Sequence, residues 1–435
     1  MKYRSIKGTQ DLLPESEAYW AYLEETTQSL ARRYGFERIE TPMFESTGLF
    51  ARAVGEDTDI VSKEMYTWLD RGKEGEQGDS LTLRPEFTAG VMRAYIEHSL
   101  NSRPQPQKLY SLGSIFRREK PQKGRFRQFH QFNIEIIGSA DAIADYEVML
   151  LCHSLYSELG FHNLTFQLNS TGDPECKPRY IQALKAYFEP FKEQLAQVDR
   201  DRLQRNPLRI LDSKERETQP YLENAPHFLD YLNDDCQSHF NDLLSYLNSV
   251  GITYQINHRL VRGLDYYTKT VFELWGEGLG SQAALCGGGR YDGLIELLGG
   301  PPTYGVGFAT GIERIIMSMQ DQRIDPPTLQ RPAILVAHLN DAARLAAVRL
   351  VTKLRQAHIA SRIAFGGRSL KAQLRDADRT QCRYVLIFGD QELATNTVIL
   401  RDLERSEQTT VPIDQVLPII REALERMRGE PANQK

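Results

Sequence analysis

Arginines, acids and glycines recur in four separated segments of this 435-residue chain, in patterns that suit a polyanion held beside a small polar ligand. The densest is Phe116–Glu135, FRREKPQKGRFRQFHQFNIE, where Arg117, Arg118, Lys120, Lys123, Arg125 and Arg127 crowd one stretch. From Phe129 onward the residues alternate. Phe132, Ile134 and Ile136 fall on one face of a strand and Gln131, Asn133 and Glu135 on the other, because strand side chains switch faces at every step. A solvated basic loop ahead of a half-exposed strand would account for the charge by itself. The other three segments weigh against that reading.

In LTLRPEFTAG (81–90), Glu86 follows Arg84-Pro85 at a predicted helix N-terminus. The macrodipole favours a carboxylate there by a few tenths to about 1 kcal/mol, so capping competes with ligand binding as its use. Phe87 joins the core stripe of that helix with Val91, Ala94 and Tyr95. RLVRGLDYYTKTVFEL (259–274) sets Arg259, Arg262 and Asp265 among apolar residues, so Arg262 either pairs with Asp265 or faces a ligand anion. In CGGGRYDGL (286–294), Gly287–Gly289 permit close backbone approach, as they would a tight turn. In YGVGFATGIER (304–314), Tyr304, Val306 and Phe308 share one face, while Gly305, Gly307 and Ala309 leave a bare strip suited to a flat nucleotide base. Arg314 opens the next helix, placed to reach a phosphate bidentately. With no GxxxxGK[ST] loop, phosphate binding falls to arginines on a sheet.

The elements that must position these residues come in two styles. Pro14 and the spacing of Tyr19, Tyr22, Leu23, Thr26, Leu30 and Tyr34 predict an opening amphipathic helix. Strands are predicted at Leu81–Arg84, Lys108–Phe116, Phe129–Ile137, Thr270–Leu274 and Thr303–Ala309, with spacing too irregular for repeating βαβ units. An antiparallel sheet in an α+β domain is expected, interrupted by a mostly helical insertion over 172–250. The prolines of Gln320–Pro332 suggest a linker. Beyond it, strands at Ala333–Ala337, Ile359–Ala364 and Tyr384–Phe388 alternate with helices at Ala342–Ala357, Ser369–Ala377 and Val411–Met427, giving a small α/β domain.

Composition bounds the rest. The chain is 41% hydrophobic and 26% charged, ordinary for a globular protein, and long enough for two or three domains. No run approaches a membrane span. The N-terminus, MKYRSIKGTQDLLPE, has neither the apolar core of a secretory signal nor the acid-poor character of a transit peptide. Five scattered cysteines show no CxxC or C…H spacing, which fits a reducing cytoplasm and argues against a zinc site. The net charge of −5 is uneven: residues 331–435 hold 17 basic against 12 acidic residues, and the rest is acidic. A mildly basic C-terminal domain suits a locally gripped nucleic acid.

The four segments together resemble the class II aminoacyl-tRNA synthetases, and the likeness runs nearly end to end. TPMFESTGLF (41–50), with Pro42, is similar to the dimer-forming first motif of that class, FRREKPQKGRFRQFHQFNIE to the second and VGFATGIER to the third. RGLDYYT and GGGRYDGL are similar to signatures of the histidyl branch. The resemblance implies a catalytic domain over 1–325, a linker over 326–332, an α/β anticodon-binding domain over 333–427 and a tail over 428–435. It further implies activation of L-histidine by ATP with Mg²⁺, transfer to tRNA(His), and a cytoplasmic homodimer without a membrane partner. By the same resemblance, Arg117 and Arg262 flank the α-phosphate as the catalytic pair, Arg125 and Arg314 take the outer phosphates, and Phe129 stacks on adenine. Glu86, Thr88 and Gln131 hold the α-ammonium, Glu135 and Tyr267 read the imidazole, and Tyr291 lines the same pocket. Phe87 and Asn133 depart from the small residues usual at those positions, which puts the pocket wall in question. The synthetase-like regulatory subunit of ATP phosphoribosyltransferase is a rival, but it usually lacks the segment that is intact here at 331–427. A free-standing nucleic-acid-binding protein is the other.

Overall fold

The long alternating segment around Phe132 and Glu135 becomes a central strand of the main sheet. In the computed structural model, the described residues are 3–56, 58–72, 78–121, 124–276, 284–329 and 332–429. Lys123, Gln330, Arg331 and most of the expected tail therefore lie outside the described residues. The chain divides into two compact units, Met1–Pro327 and Thr328–Lys435.

The strands of the first unit are β1 (Glu37–Arg38), β2 (Phe44–Ser46), β3 (Tyr66–Leu69), β4 (Ser80–Leu83), β5 (Gln107–Phe116), β6 (Gln128–Ile137), β7 (Thr165–Ser170), β8 (Tyr254–Ile256), β9 (Thr268–Trp275), β10 (Ala284–Arg290) and β11 (Gly305–Gly311). Eight of them form one sheet in the order β1-β5-β6-β11-β10-β9-β7-β8, and β2-β4-β3 form a small separate one. The large sheet is antiparallel across its middle and parallel only at its two edges, β1–β5 and β7–β8. The strand expected at Leu81–Arg84 belongs to the small sheet.

One face of the large sheet is apolar. Phe132, Ile134, Ile136, Val306, Phe308 and Phe272 are buried there against the helices Glu17–Arg33, Ala142–Glu158, Asp234–Ser249 and Ile312–Asp321. At about 25 cal/mol per Å² of apolar surface, each fully buried side chain contributes roughly 1.5–3 kcal/mol before the cost of ordering it. The helical region after β7 divides in two. Cys176, Tyr180, Leu184, Phe188, Ile210 and Phe228 build a core of their own, whereas Phe240, Leu243 and Leu247 of Asp234–Ser249 join the main core. At the root of that region, Asp173, Cys176 and Cys236 bring three potential ligand atoms within 4.8 Å of one another, a proximity that no sequence spacing announces. The Asp173 carboxylate is engaged there, accepting from the Glu175 and Cys176 amides and from Asn233 Nδ2.

The second unit has β12 (Ile334–His338), β13 (Ser361–Ile363), β14 (Tyr384–Phe388), β15 (Thr397–Asp402) and β16 (Glu407–Pro412) in the order β13-β12-β14-β15-β16. Alternate residues of β12 and β14 enter two cores, one on each face of the sheet. The β15–β16 hairpin and the short helix Asp390–Thr395 are additions to the expected pattern, and Val411, expected to open the last helix, lies in β16, while that helix begins at Val416. No described helix is long and apolar enough to cross a membrane.

One buried ion pair ties the sheet to its helices next to the site. Arg290, at the end of β10, is fully buried and donates to Asp145 of the helix beneath, to Asp292 at 3.0 Å and to the Ser139 carbonyl at 2.8 Å. It anchors the strand end that carries Tyr291. Replacing Asp145 by Ala would strand the guanidinium without its principal counter-charge. Urea denaturation should then show a loss of about 3–5 kcal/mol, and a loss below about 1 kcal/mol would mean the pair is not holding this corner.

Candidate active site

The polar face of β6 and the glycine-bearing faces of β10 and β11 meet in register, with Glu135 opposite Gly307, Asn133 opposite Ala309, and Ala309 opposite Gly287. Two glycines decide what can lie there. A Cβ at Gly307 would stand 2.0 Å from Glu135 Oε2, and one at Gly287 would stand 2.5 Å from Arg262 Cζ. The bare strip expected to carry a nucleotide base is thus partly roofed by the protein's own side chains, with the Tyr291 ring lying over Gly305. Its open continuation is Ala309–Gly311, which borders a cleft of about 410 Å³.

That cleft gathers five predicted residues: Arg117, Arg125, Phe129, Arg262 and Arg314. The Arg117 Nε donates to the Pro85 carbonyl at 2.9 Å, and its guanidinium centre stands 5.7 Å from the Phe129 ring centroid. Arg125 is largely exposed and reaches Glu119 at 3.2 Å. Arg262 does not pair with Asp265, which instead accepts from Asn206 at 3.0 Å. Its partner is Glu273 of β9, and its Nε is buried without a hydrogen-bond partner. Burial lowers the pKa of Arg314, yet a guanidinium so far from neutrality stays charged. Not every basic residue of the Phe116–Glu135 segment comes here. Arg127 donates instead to the Lys7 carbonyl at 3.3 Å, on the N-terminal segment.

The remaining six candidates form a buried polar cluster adjoining the cleft. The Glu86 carboxylate accepts from the Thr88 and Ala89 amides at 2.6 and 2.8 Å, so it caps the helix Thr88–Glu97. Burial raises its pKa against the pull of those amides and of Arg117. Glu135 accepts from Thr88 Oγ1 at 2.6 Å, from Asn133 Nδ2 at 2.9 Å and from the Tyr291 hydroxyl. Burial outweighs all three donors and lifts its pKa to about 7. Gln131 is buried on the same face. Tyr267 meets Arg262 and Tyr266, linking this cluster to the cleft.

The two unusual positions resolve differently. Phe87 is buried in a core with Val91 and Tyr95, under the Arg84 guanidinium 4.3 Å from its ring centroid. Asn133 is a direct partner of Glu135. Sequence reasoning passed over that role, and over Glu273 and Tyr266, which is hydrogen-bonded to Thr88. Strand register was the available signal for Asn133: two residues before Glu135, it had to share that face.

Chemically, a cleft walled by arginines opens onto two buried carboxylates and an aromatic box of Tyr266, Tyr267 and Tyr291. An anion belongs in the first part and a compact cation with hydrogen-bonding edges in the second. A family model described as histidyl-tRNA synthetase matches residues 8–315, and one described as an anticodon binding domain matches 333–423. A histidine--tRNA ligase of Dehalococcoides mccartyi is 48% identical over 95% of this chain and 98% of its own. One from Desulfitobacterium hafniense is 46% identical over 97% and 98%. The crystal structure of apo S. aureus histidyl-tRNA synthetase aligns with a TM-score of 0.81 at 35% identity, covering 96% of this chain and 99% of that one.

The raised Glu135 pKa has a consequence of definite sign. The folded state holds that proton more tightly than an unfolded glutamate does, so the stabilisation is complete below about pH 4.3 and is lost as pH rises through about 7. Glu135→Gln removes the titration. Between pH 5 and pH 8, the wild type should lose on the order of 3 kcal/mol relative to the variant in urea melts. Parallel curves for the two proteins would refute the shift.

Proposed function

The chain belongs to the histidyl-tRNA synthetase family, and from that premise we propose how its residues share the work. The reaction joins L-histidine to ATP, giving histidyl-adenylate and pyrophosphate, and then moves histidine to the 3′ end of tRNA(His). Activation brings two anions together and builds charge on a five-coordinate phosphorus. It therefore needs positioning and preorganised positive charge, with little call for a general base because the carboxylate is already ionised.

In this reading Arg117 and Arg262 approach the α-phosphate from opposite sides, Arg125 and Arg314 take the outer phosphates, and Phe129 stacks on the adenine. The observation that carries it is the convergence of these residues on one cleft, with Arg262 holding an unpartnered buried Nε. Mg²⁺ would enter this cleft with the nucleotide phosphates, and Glu64 and Glu119, which line it, would supply oxygen donors beside them. When bound, the ion would neutralise charge on the phosphates. Burial and the neighbouring Glu119 raise the Glu64 pKa against the pull of Arg117 and Arg125.

Glu86, Thr88 and Gln131 are assigned to the α-ammonium, and Glu135, Tyr267 and Tyr291 to the imidazole. A carboxylate half-protonated when the pocket is empty becomes fully ionised beside an ammonium or a ring N–H. Reading both ring nitrogens by buried polar groups can reject analogues by roughly 10⁴–10⁵, which an apolar slot could not do. The units Met1–Pro327 and Thr328–Lys435 serve as catalytic and anticodon-binding domains. We assign the homodimer contact to the small sheet, where Met43, Phe44, Trp68 and Leu69 leave large apolar side chains exposed. The five free thiols favour the cytoplasm.

Pyrophosphate exchange measured with each amino acid should proceed with histidine only; exchange with another would overturn the pocket assignment. Arg262→Ala should slow histidine-dependent exchange by about 10²–10³, the scale of one lost transition-state charge contact. A loss under about threefold would remove Arg262 from the α-phosphate.

A further inference from the structure

Two thiols meet beneath the floor of the cleft. Cys152, on the helix Ala142–Glu158, and Cys286, on β10, have their sulfurs 2.9 Å apart inside the main core. One turn after Cys152, the Tyr156 hydroxyl donates to the Leu285 carbonyl at 3.1 Å and meets Thr310 Oγ1 at 2.6 Å. Helix and strand are therefore held in fixed register at this point, and the sulfurs with them. The two thiols differ in access. Cys152 is fully buried, whereas Cys286 retains 7% exposure and lines the cleft between Leu285 and Gly287. Arg262 and Arg314 lie close enough to interact with the Cys286 sulfur from the cleft side.

We propose that Cys152 and Cys286 form an oxidative modification site, closed to a disulfide by a small peroxide entering through the cleft, which reversibly suppresses adenylate formation. The Cys286 sulfur attacks the peroxide O–O bond, giving a sulfenic acid and one water. The Cys152 sulfur then displaces a second water, so two thiols and one hydrogen peroxide yield one disulfide and two waters. Bringing the sulfurs to a bond of about 2.0 Å requires an approach of less than about 1 Å.

Position makes this matter. Cys286 directly precedes Gly287, where the Arg262 guanidinium already lies against the backbone with no room for a Cβ. Any movement of that strand is felt by the guanidinium, and misplacement by about 1 Å can cost roughly 10²-fold in rate. The loss of activity rests on the role proposed for Arg262; formation of the disulfide does not.

The test treats the full-length protein with a few equivalents of hydrogen peroxide, then measures pyrophosphate exchange and maps peptides without reductant. The expected result is a Cys152–Cys286 cross-linked pair, lighter by two hydrogens, with exchange reduced about tenfold or more and restored by dithiothreitol. Cys152→Ala should match the untreated wild type within about twofold and show no thiol-reversible loss. Inactivation with a different pair cross-linked, such as Cys176 with Cys236, would overturn the site. So would reversible loss persisting in Cys152→Ala. A Cys152–Cys286 cross-link with exchange unchanged would overturn the suppression while leaving the Arg262→Ala prediction standing. Should the variant fail to fold, peptide mapping of the wild type decides alone.

Discussion

A charged side chain can lie flat on a sheet only where the strand beneath it has no Cβ. Gly287 and Gly307 provide two such places on neighbouring strands, one residue pair apart on the same face, one under the Arg262 guanidinium and one under the Glu135 carboxylate. The rest of the site follows from that constraint. With both groups pressed against backbone, water is excluded from their undersides, so their charges act at a lower effective dielectric than surface charges would. The three hydroxyl and amide donors around Glu135, and Glu273 beside Arg262, fix the two side chains laterally. The same closeness removes slack: the strands cannot shift without moving the groups above them.

Opposite signs are placed next to each other without cancelling. Arg262 is already paired with Glu273, and Glu135 is satisfied by neutral donors, so neither needs the other. Buried charge is costly when unpaired, and the Arg262 Nε is the residue of that cost, an orphan donor beside the cleft. Glu135 meets the same cost differently, by holding a proton more tightly until a cation replaces it. Both departures from full satisfaction lie where ligand is proposed to bind. The structural pair Arg290–Asp145, also buried, shows the contrast, since every donor of that guanidinium is engaged.

Much of this was legible in the order of residues. The period-two alternation of 129–137 named both the core face and the acid-bearing face, because one face of a strand must be apolar to bury it. The cleft arginines were identifiable only in company, since a basic loop is by itself an ordinary solvated feature; the path of the loop then separates Arg117 and Arg125, which line the cleft, from Arg127, which turns toward the N-terminal segment. Long-range pairing was not legible. Nothing local announces that Arg262 would meet Glu273 rather than Asp265, because the nearer acid is taken by Asn206 from the helical region. The β15–β16 hairpin was missed for a related reason: β16 (Glu407–Pro412) carries a single buried apolar residue, Val411, and the apolar run Val398–Leu400 of β15 is too short to announce a strand without that partner.

The glycines show most clearly how a sequence pattern can be right and its occupant wrong. A row without side chains does imply that something else fills the space, since voids in a packed interior forfeit dispersion contacts. The sequence does not say whether the filler is a ligand or the chain itself. Here it is both in succession along one strand: Tyr291 and Glu135 cover Gly305 and Gly307, and the cover stops at Ala309, where the cleft begins. That boundary is set by the side chain that precedes it. A longer residue at Asn133, which faces Ala309 across the pairing, would extend the roof and narrow the cleft; a shorter one would deprive Glu135 of a donor. Asn133 is therefore the residue at which the requirements of the buried acid and of the open cleft are reconciled.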